Sequence, residues 1–189
     1  MKYAHIILLF FLLLIPSVAF AEEVNEGLHE PKTKIEQFPA KTGSVIVRGF
    51  EEVGRVKGLY NTSITVSSEE FTMASTQQKE YGITIDVIEG PKSFDQKTSY
   101  IDYDEIDSLI LGIEYISKIN SEATQLSSFQ ADYRTRGSLR ISTFNTEKEI
   151  NAAIESGQYS SKSAYFKILD LAKVKDLILK AKNKIDNIK

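Results

Sequence analysis

The sequence predicts an α+β fold, an antiparallel sheet with two amphipathic helices packed on one face. Three observations predict it. Short runs that alternate apolar and polar residues recur from residue 44 onward, bounded by glycine, proline or asparagine. Two stretches, Ile106–Ile119 and Leu171–Ile188, instead place apolar residues three and four apart, which lines them up on one side of a helix. Each helical stretch also follows a set of four strand-like runs, so the chain from 44 to 189 reads as one domain, with 44–120 and 128–189 as either pseudo-repeats or a coincidence of two amphipathic helices that each follow a strand.

Ahead of that domain, Met1–Ala21 reads as a secretory signal peptide. Lys2 supplies the positive end, Ile6–Ile15 an apolar run too short to span a bilayer comfortably, and Ala19-Phe20-Ala21 the small-x-small cleavage pattern. Cleavage after Ala21 is expected, with a secreted or periplasmic product and no remaining membrane span. No cysteine follows the apolar run, which excludes a lipoprotein anchor attached through a thiol. The chain carries 23 Lys and Arg against 26 Asp and Glu, a net charge of −3 that loss of Lys2 takes to −4. That mild acidity suits solubility and does not suggest a polyanion-binding surface. With no cysteine at all, stability must come from burial alone. Residues 22–43 are polar and lack periodicity. They read as a flexible linker or arm that Leu28, Ile35 and Phe38 could pin to the body.

The first strand is expected over Ser44–Lys57, with Gly49 and Gly54 as bulge candidates. A turn at Tyr60-Asn61-Thr62 leads to a strand over Ser63–Met73 that a polar stretch, Ser67–Glu70, interrupts. In the third strand, Tyr81–Glu89, Ile83, Ile85 and Val87 point one way and Thr84 and Asp86 the other, and Gly90-Pro91 ends it. The fourth begins at Thr98 and runs into the first helix, whose apolar stripe is Ile106, Leu109, Ile110, Ile113, Ile116 and Ile119. Gly112 interrupts that helix at a cost of about 1 kcal/mol, and the expected reason is close approach to a sheet. In the second unit Phe129, Ala131 and Tyr133 alternate, Gly137 marks a hairpin, and Leu139 and Ile141 resume the inward face. Runs at Ile150–Ile154 and Ala164–Ile168 complete the strands, with Ser156-Gly157 turning the chain between them. The last helix places Leu171, Val174, Leu177, Ile178, Ala181, Ile185 and Ile188 on one stripe.

Two clusters of charge stand out. Asp102, Asp104, Glu105 and Asp107 crowd the start of the first helix. One reading is helix capping by carboxylates that face free N–H groups and the positive end of the dipole. The other is a hard-oxygen metal site of the kind calcium prefers, although the glycine and closing glutamate of an EF-hand loop are missing. The second cluster is the hairpin carrying Arg134, Arg136 and Arg140. Arg134 and Arg136 share a face, Arg140 lies across from them, and Arg48 and Arg55 could extend the surface into an anion-binding sheet. A charged edge that resists aggregation accounts for the same residues.

Aromatic residues interleave with these strands: Tyr81, Tyr100, Tyr103, Phe129, Tyr133, Phe144, Tyr159, Tyr165 and Phe166. Most are expected in the core. Basic, aromatic sheet faces serve single-stranded nucleic acid elsewhere. The twice-repeated order of four strands and a helix, over roughly 44–189, resembles the architecture of the Whirly and PUR single-strand-binding proteins. The resemblance is one of arrangement and transfers no residues. The leader and the acidic balance argue against nucleic acid as a partner.

Catalytic equipment is sparse. The two histidines are His5, in the leader, and His29, in the linker. The body therefore offers no Ser-His-Asp or Cys-His mechanism and no nitrogen or sulfur zinc ligands. No phosphate-cradling glycine loop is present, and no cofactor is expected. The sequence thus points to an exported, non-enzymatic binding or structural module. Two alternatives remain open: an anion or polyanion binder using the arginine hairpin, and a carboxylate-based hydrolase. Envelope proteins and anionic ligands are the partners considered, along with a homodimer through an open sheet edge.

Overall fold

The computed structural model describes residues 32–90, 96–147, 149–157 and 160–189. The leader, residues 22–31 of the linker, Pro91, and Tyr159 lie outside the described residues, as do Leu28 and His29. All described residues belong to one compact unit, Pro31–Lys189.

The fold is α+β, built on two antiparallel sheets. Strands β1 (Ile46–Lys57), β2 (Ser63–Met73), β3 (Lys79–Ile88) and β4 (Gln96–Asp102) form the first as a meander in chain order. Strands β5 (Gln130–Arg134), β6 (Leu139–Asn145), β7 (Ile150–Ser156) and β8 (Lys162–Lys167) form the second in the same way. After each sheet comes one 3-10 turn and one long helix, α2 (Ile106–Ile116) or α3 (Leu171–Asp186). A short helix, α1 (Lys34–Gln37), precedes β1.

The helices do not roof a single sheet. Each helix lies on the sheet of the other half. α3, from the second half, packs on β1, β2 and β3, while α2, from the first half, packs on β5 and β6. Polar pairs fix both contacts. Ser68 Oγ on β2 donates to the carbonyl of Ala181 at 3.1 Å, and Thr143 Oγ1 on β6 donates to that of Ile116 at 3.3 Å. The helices also meet one another, where Lys175 Nζ donates to Glu114 Oε1 at 2.9 Å.

The apolar stripes explain this exchange. Ile106, Leu109, Ile110, Ile113 and Ile116 are buried on α2, and Leu171, Val174, Ile178, Ala181 and Ile185 on α3. A fully buried isoleucine contributes about 1.5–3 kcal/mol, so neither stripe can stay wet. Both join one continuous core with the inward faces of both sheets, including Ile64, Ile83, Ile85, Ile141, Ile154 and Phe166. Ser99 on β4 and Ser156 on β7 share a buried 2.7 Å hydrogen bond between the sheets. Leu59 adds a bridge to β8, its N–H donating to Tyr165 O at 2.6 Å.

Several local expectations are met and others corrected. The register shift on β1 falls between Glu52 and Gly54, as expected for Gly54, whereas Gly49 pairs regularly with Glu70. Tyr60 and Asn61 both take left-handed backbone (φ 56° and 59°), the tight hairpin turn that matches strand twist. Gly112 allows close approach, since a Cβ there would stand 2.5 Å from the Tyr133 ring on β5. No polar interruption breaks β2. Ser68 and Glu69 are buried and bonded, so the strand runs through. Of the aromatics expected in the core, only Phe166 is fully buried among those described. Tyr81, Tyr103 and Tyr133 pack partly buried against the core, while Tyr100 packs on the arm and Tyr165 lies edge-on to Tyr60.

Candidate functional site

The two charge clusters in the sequence turn out to be one constellation. The β5–β6 turn brings Arg136 against the acidic approach to α2. Its backbone N–H donates to Glu105 Oε1 at 2.9 Å and its Nε to Glu105 Oε2 at 3.2 Å. Its Nη2 bonds Asp104 and lies 3.5 Å from Asp102 Oδ2. Gly137 makes this docking feasible, because a Cβ there would stand 1.9 Å from the Tyr100 carbonyl oxygen.

These carboxylates do not cap α2, which has no side-chain cap. Asp102, only 2% exposed, instead caps α1: its Oδ2 accepts from Lys34 N–H at 3.0 Å and its Oδ1 from Ile35 N–H at 3.1 Å. Lys34 Nζ pairs with Asp104 at 2.7 Å. The Lys34 hydrogen bond, seconded by Arg136, holds the Asp104 carboxyl below its usual range. Asp107 stands apart, exposed, 3.9 Å from Lys182. A cation at this cluster would have to displace Arg136 and Lys34 and take oxygens already committed to N–H donors. Among the described residues no group of three or more His, Cys, Asp and Glu is arranged to hold a metal ion.

The arginine hairpin is likewise spoken for. Arg134 and Arg140 face each other across β5 and β6, but Arg140 pairs with Glu155 at 2.5 Å. Asp132 beside them accepts from Ser142 at 2.5 Å. Burial works against its charge, yet bonds from Ser142 and Gln130 keep its carboxyl low. Of the three hairpin arginines, only Arg134 makes no side-chain hydrogen bond or ion pair among the described residues. Arg48 and Arg55 do not extend this surface, because they sit on the other sheet.

The first sheet offers a different arrangement on the face turned away from the core. One end of that face is covered by the arm: Ile35 and Phe38 pack on Phe71 and Met73. The rest is open. There β1 to β4 line a hollow of about 610 Å³. In register, Arg55, Thr65, Asp86 and Thr98 cross the sheet in one row, and Glu52, Ser67, Thr84 and Tyr100 in the next. Phe50, 70% exposed, stands on the rim with the Arg48 guanidinium 5.0 Å from its ring centre.

This face is internally braced. Glu69, 2% exposed, accepts from Arg48 Nε and Nη2, both at 2.7 Å, and from Thr84 Oγ1 at 3.2 Å. The hydrogen bond to Glu69 raises the Arg48 pKa further. Arg55 Nε donates to Thr65 Oγ1 at 3.0 Å, and Thr98 Oγ1 to Asp86 Oδ1 at 2.5 Å. Burial pushes the Tyr100 hydroxyl up, so it stays protonated as a donor. The result is a floor of fixed hydroxyls among four carboxylates (Glu51, Glu52, Glu69 and Asp86) and two guanidinium groups (Arg48 and Arg55). It can hydrogen-bond a polar ligand.

Sequence reasoning picked out Arg48, Arg55 and the outward pointing of Thr84 and Asp86, but not the hollow they share. The polar positions are legible strand by strand; only the register places them side by side. No protein-family model matches the sequence, and no curated protein matches it.

Proposed function

We propose that the protein is an exported, non-enzymatic binding module of the periplasm or cell exterior that holds its ligand on the outer face of the first sheet. One observation carries the reading. Thr65, Ser67, Thr84, Thr98 and Tyr100, from three adjacent strands, line a single hollow whose charged neighbours are already locked in place. Pre-ordered polar groups lose little freedom on binding, so their hydrogen bonds count toward affinity. Export rests on the sequence of Met1–Ala21. The absence of histidine and cysteine from residues 32–189 supports a non-catalytic role.

The test has two readouts. Cell fractionation should find the chain outside the cytoplasm with Glu22 as its first residue. Amide spectra of that chain in a soluble envelope extract should change along β1–β4. A cytoplasmic chain that retains Met1, or spectral change confined to the Arg134–Arg140 hairpin, would contradict the proposal.

The anion-binding alternative has a smaller basis. A hollow of about 320 Å³ includes Lys32, Arg134, Arg136 and Arg140, yet Arg136 and Arg140 already have carboxylate partners. Arg134→Ala with Arg140→Ala should abolish a salt-sensitive interaction there; unchanged binding removes this alternative.

A further inference from the structure

The hollow on the first sheet does not end at Arg55. A second one, of about 600 Å³, is lined by Lys57, Asn61, Thr62 and Gly90, and shares Arg55 and Ile88 with the first. The two therefore meet. Together they follow β1 from Arg48 to Lys57, a length of about 30 Å at roughly 3.3 Å per residue. A trough of that length fits a chain-like ligand better than a single small molecule.

Its chemistry varies along its length. At the Arg48 end the cation is neutralised by Glu69. The middle is floored by the hydroxyls of Thr65, Ser67, Thr84 and Thr98, with Asp86 as an acceptor. Phe50 exposes an apolar ring at the rim. At the far end Arg55 and Lys57 have no carboxylate partner among the described residues. A sugar ring suits the middle: its hydroxyls donate to a carboxylate and exchange hydrogen bonds with threonine, while its C–H face packs on an aromatic ring. An acid group on the ligand suits the far end, where a guanidinium grips a carboxylate in a fork.

We propose that this trough binds an acidic oligosaccharide, with sugar rings over the hydroxyl floor against Phe50 and a carboxylate of the ligand on Arg55 and Lys57. The inference rests on the binding reading above and adds the ligand class. Single-stranded nucleic acid fits less well. It carries a phosphate at every unit, and its backbone would have to pass Glu52, Glu69 and Asp86. A neutral glycan would leave Arg55 and Lys57 without the carboxylate that no described residue supplies.

The test uses the chain from Glu22 to Lys189 in calorimetric titrations. The probes are a panel of uronic- and sialic-acid oligosaccharides, the same oligosaccharides with carboxyl groups reduced, and oligothymidylate. At least one acidic oligosaccharide should bind. Reduction of its carboxyls should weaken binding at least tenfold, and so should Arg55→Ala with Lys57→Ala, about 1.4 kcal/mol per tenfold. Phe50→Ala should weaken it comparably. All three side chains are exposed, so these variants keep the wild-type melting curve. Arg134→Ala should change nothing. If reduced oligosaccharides bind as well as acidic ones, the ligand class is wrong and the trough stands. Binding of oligothymidylate above every glycan overturns the class in favour of nucleic acid. If no acidic oligosaccharide binds, the proposal fails; and if glycan binding survives the Phe50 and Arg55 substitutions, the trough itself is wrong.

Discussion

The two sheets share an element order and differ in what their outer faces do with charge. On the second sheet, direct cross-strand neighbours take up one another: Arg140 pairs with Glu155 and Asp132 accepts from Ser142, leaving Arg134 and Lys167 without an ion pair among the described residues. On the first, Arg48 and Glu69 lock together, the hydroxyls of Thr65, Thr84 and Thr98 are held by charged neighbours, and Arg55 and Lys57 have no ion pair among the described residues. The inner faces do not differ in this way. The first is lined by isoleucine and valine and the second by leucine, isoleucine, alanine and phenylalanine, all in one core. The core constrains one face of each sheet, and the other face is free to carry recognition chemistry or merely to stay soluble.

The sharpest way to break the comparison lies beneath it, in the shared core. Ile178→Ala under the first sheet and Ile113→Ala under the second should each cost about 2–5 kcal/mol. Because one core joins both sheets, each variant should still unfold in a single denaturant transition seen identically by probes on either sheet. Two separated transitions would divide the body into independent halves.

The next effect separates the outer faces. Arg48→Ala strands Glu69, which is 2% exposed, and should cost about 1–3 kcal/mol. Arg140→Ala exposes a better-hydrated partner, Glu155, and should cost less than about 1 kcal/mol. Equal losses in chemical denaturation would remove the distinction between a braced face and a screened one.

Acid should act more gently, through two ion-paired carboxylates of the first half. Glu70, paired with Lys79, and Asp104, paired with Lys34, hold their protons less tightly when folded than the ordinary values of 4.5 and 3.8. Their contribution is therefore complete above those values and is lost as pH falls below them. Stability measured by urea titration should be flat from about pH 6 down to 5 and fall below about 4.5. Asp104→Asn should flatten part of that fall. Smallest of all, Arg134→Ala should stay within about 0.5 kcal/mol of wild type, since nothing in the fold depends on an exposed, unpaired cation.

Much of the fold is legible in the sequence because period decides it. The stripe from Ile106 to Ile116 and the alternation of Ile83, Ile85 and Val87 each admit one reading. What periodicity does not carry is partnership. An amphipathic stripe says that α3 must cover a sheet without saying which one, and the answer is the sheet a hundred residues upstream. The same limit applies to charge. Asp102 reads as a cap for the helix that follows it, whereas it caps α1, 67 residues away at Ile35. Arg136 reads as a free cation because Asp104 and Glu105 are remote in sequence. The trough was hidden for a further reason: Thr65, Thr84 and Thr98 are ordinary outward positions until the register sets them in neighbouring rows.

Splitting the chain tests the exchange of helices most directly. Residues 22–125 and 126–189 would be produced separately, then mixed, and unfolding followed by circular dichroism. If each helix covers the other half's sheet, neither piece alone shows a cooperative transition, and an equimolar mixture regains one near that of the intact chain. A cooperative transition in either piece alone would contradict the exchanged arrangement.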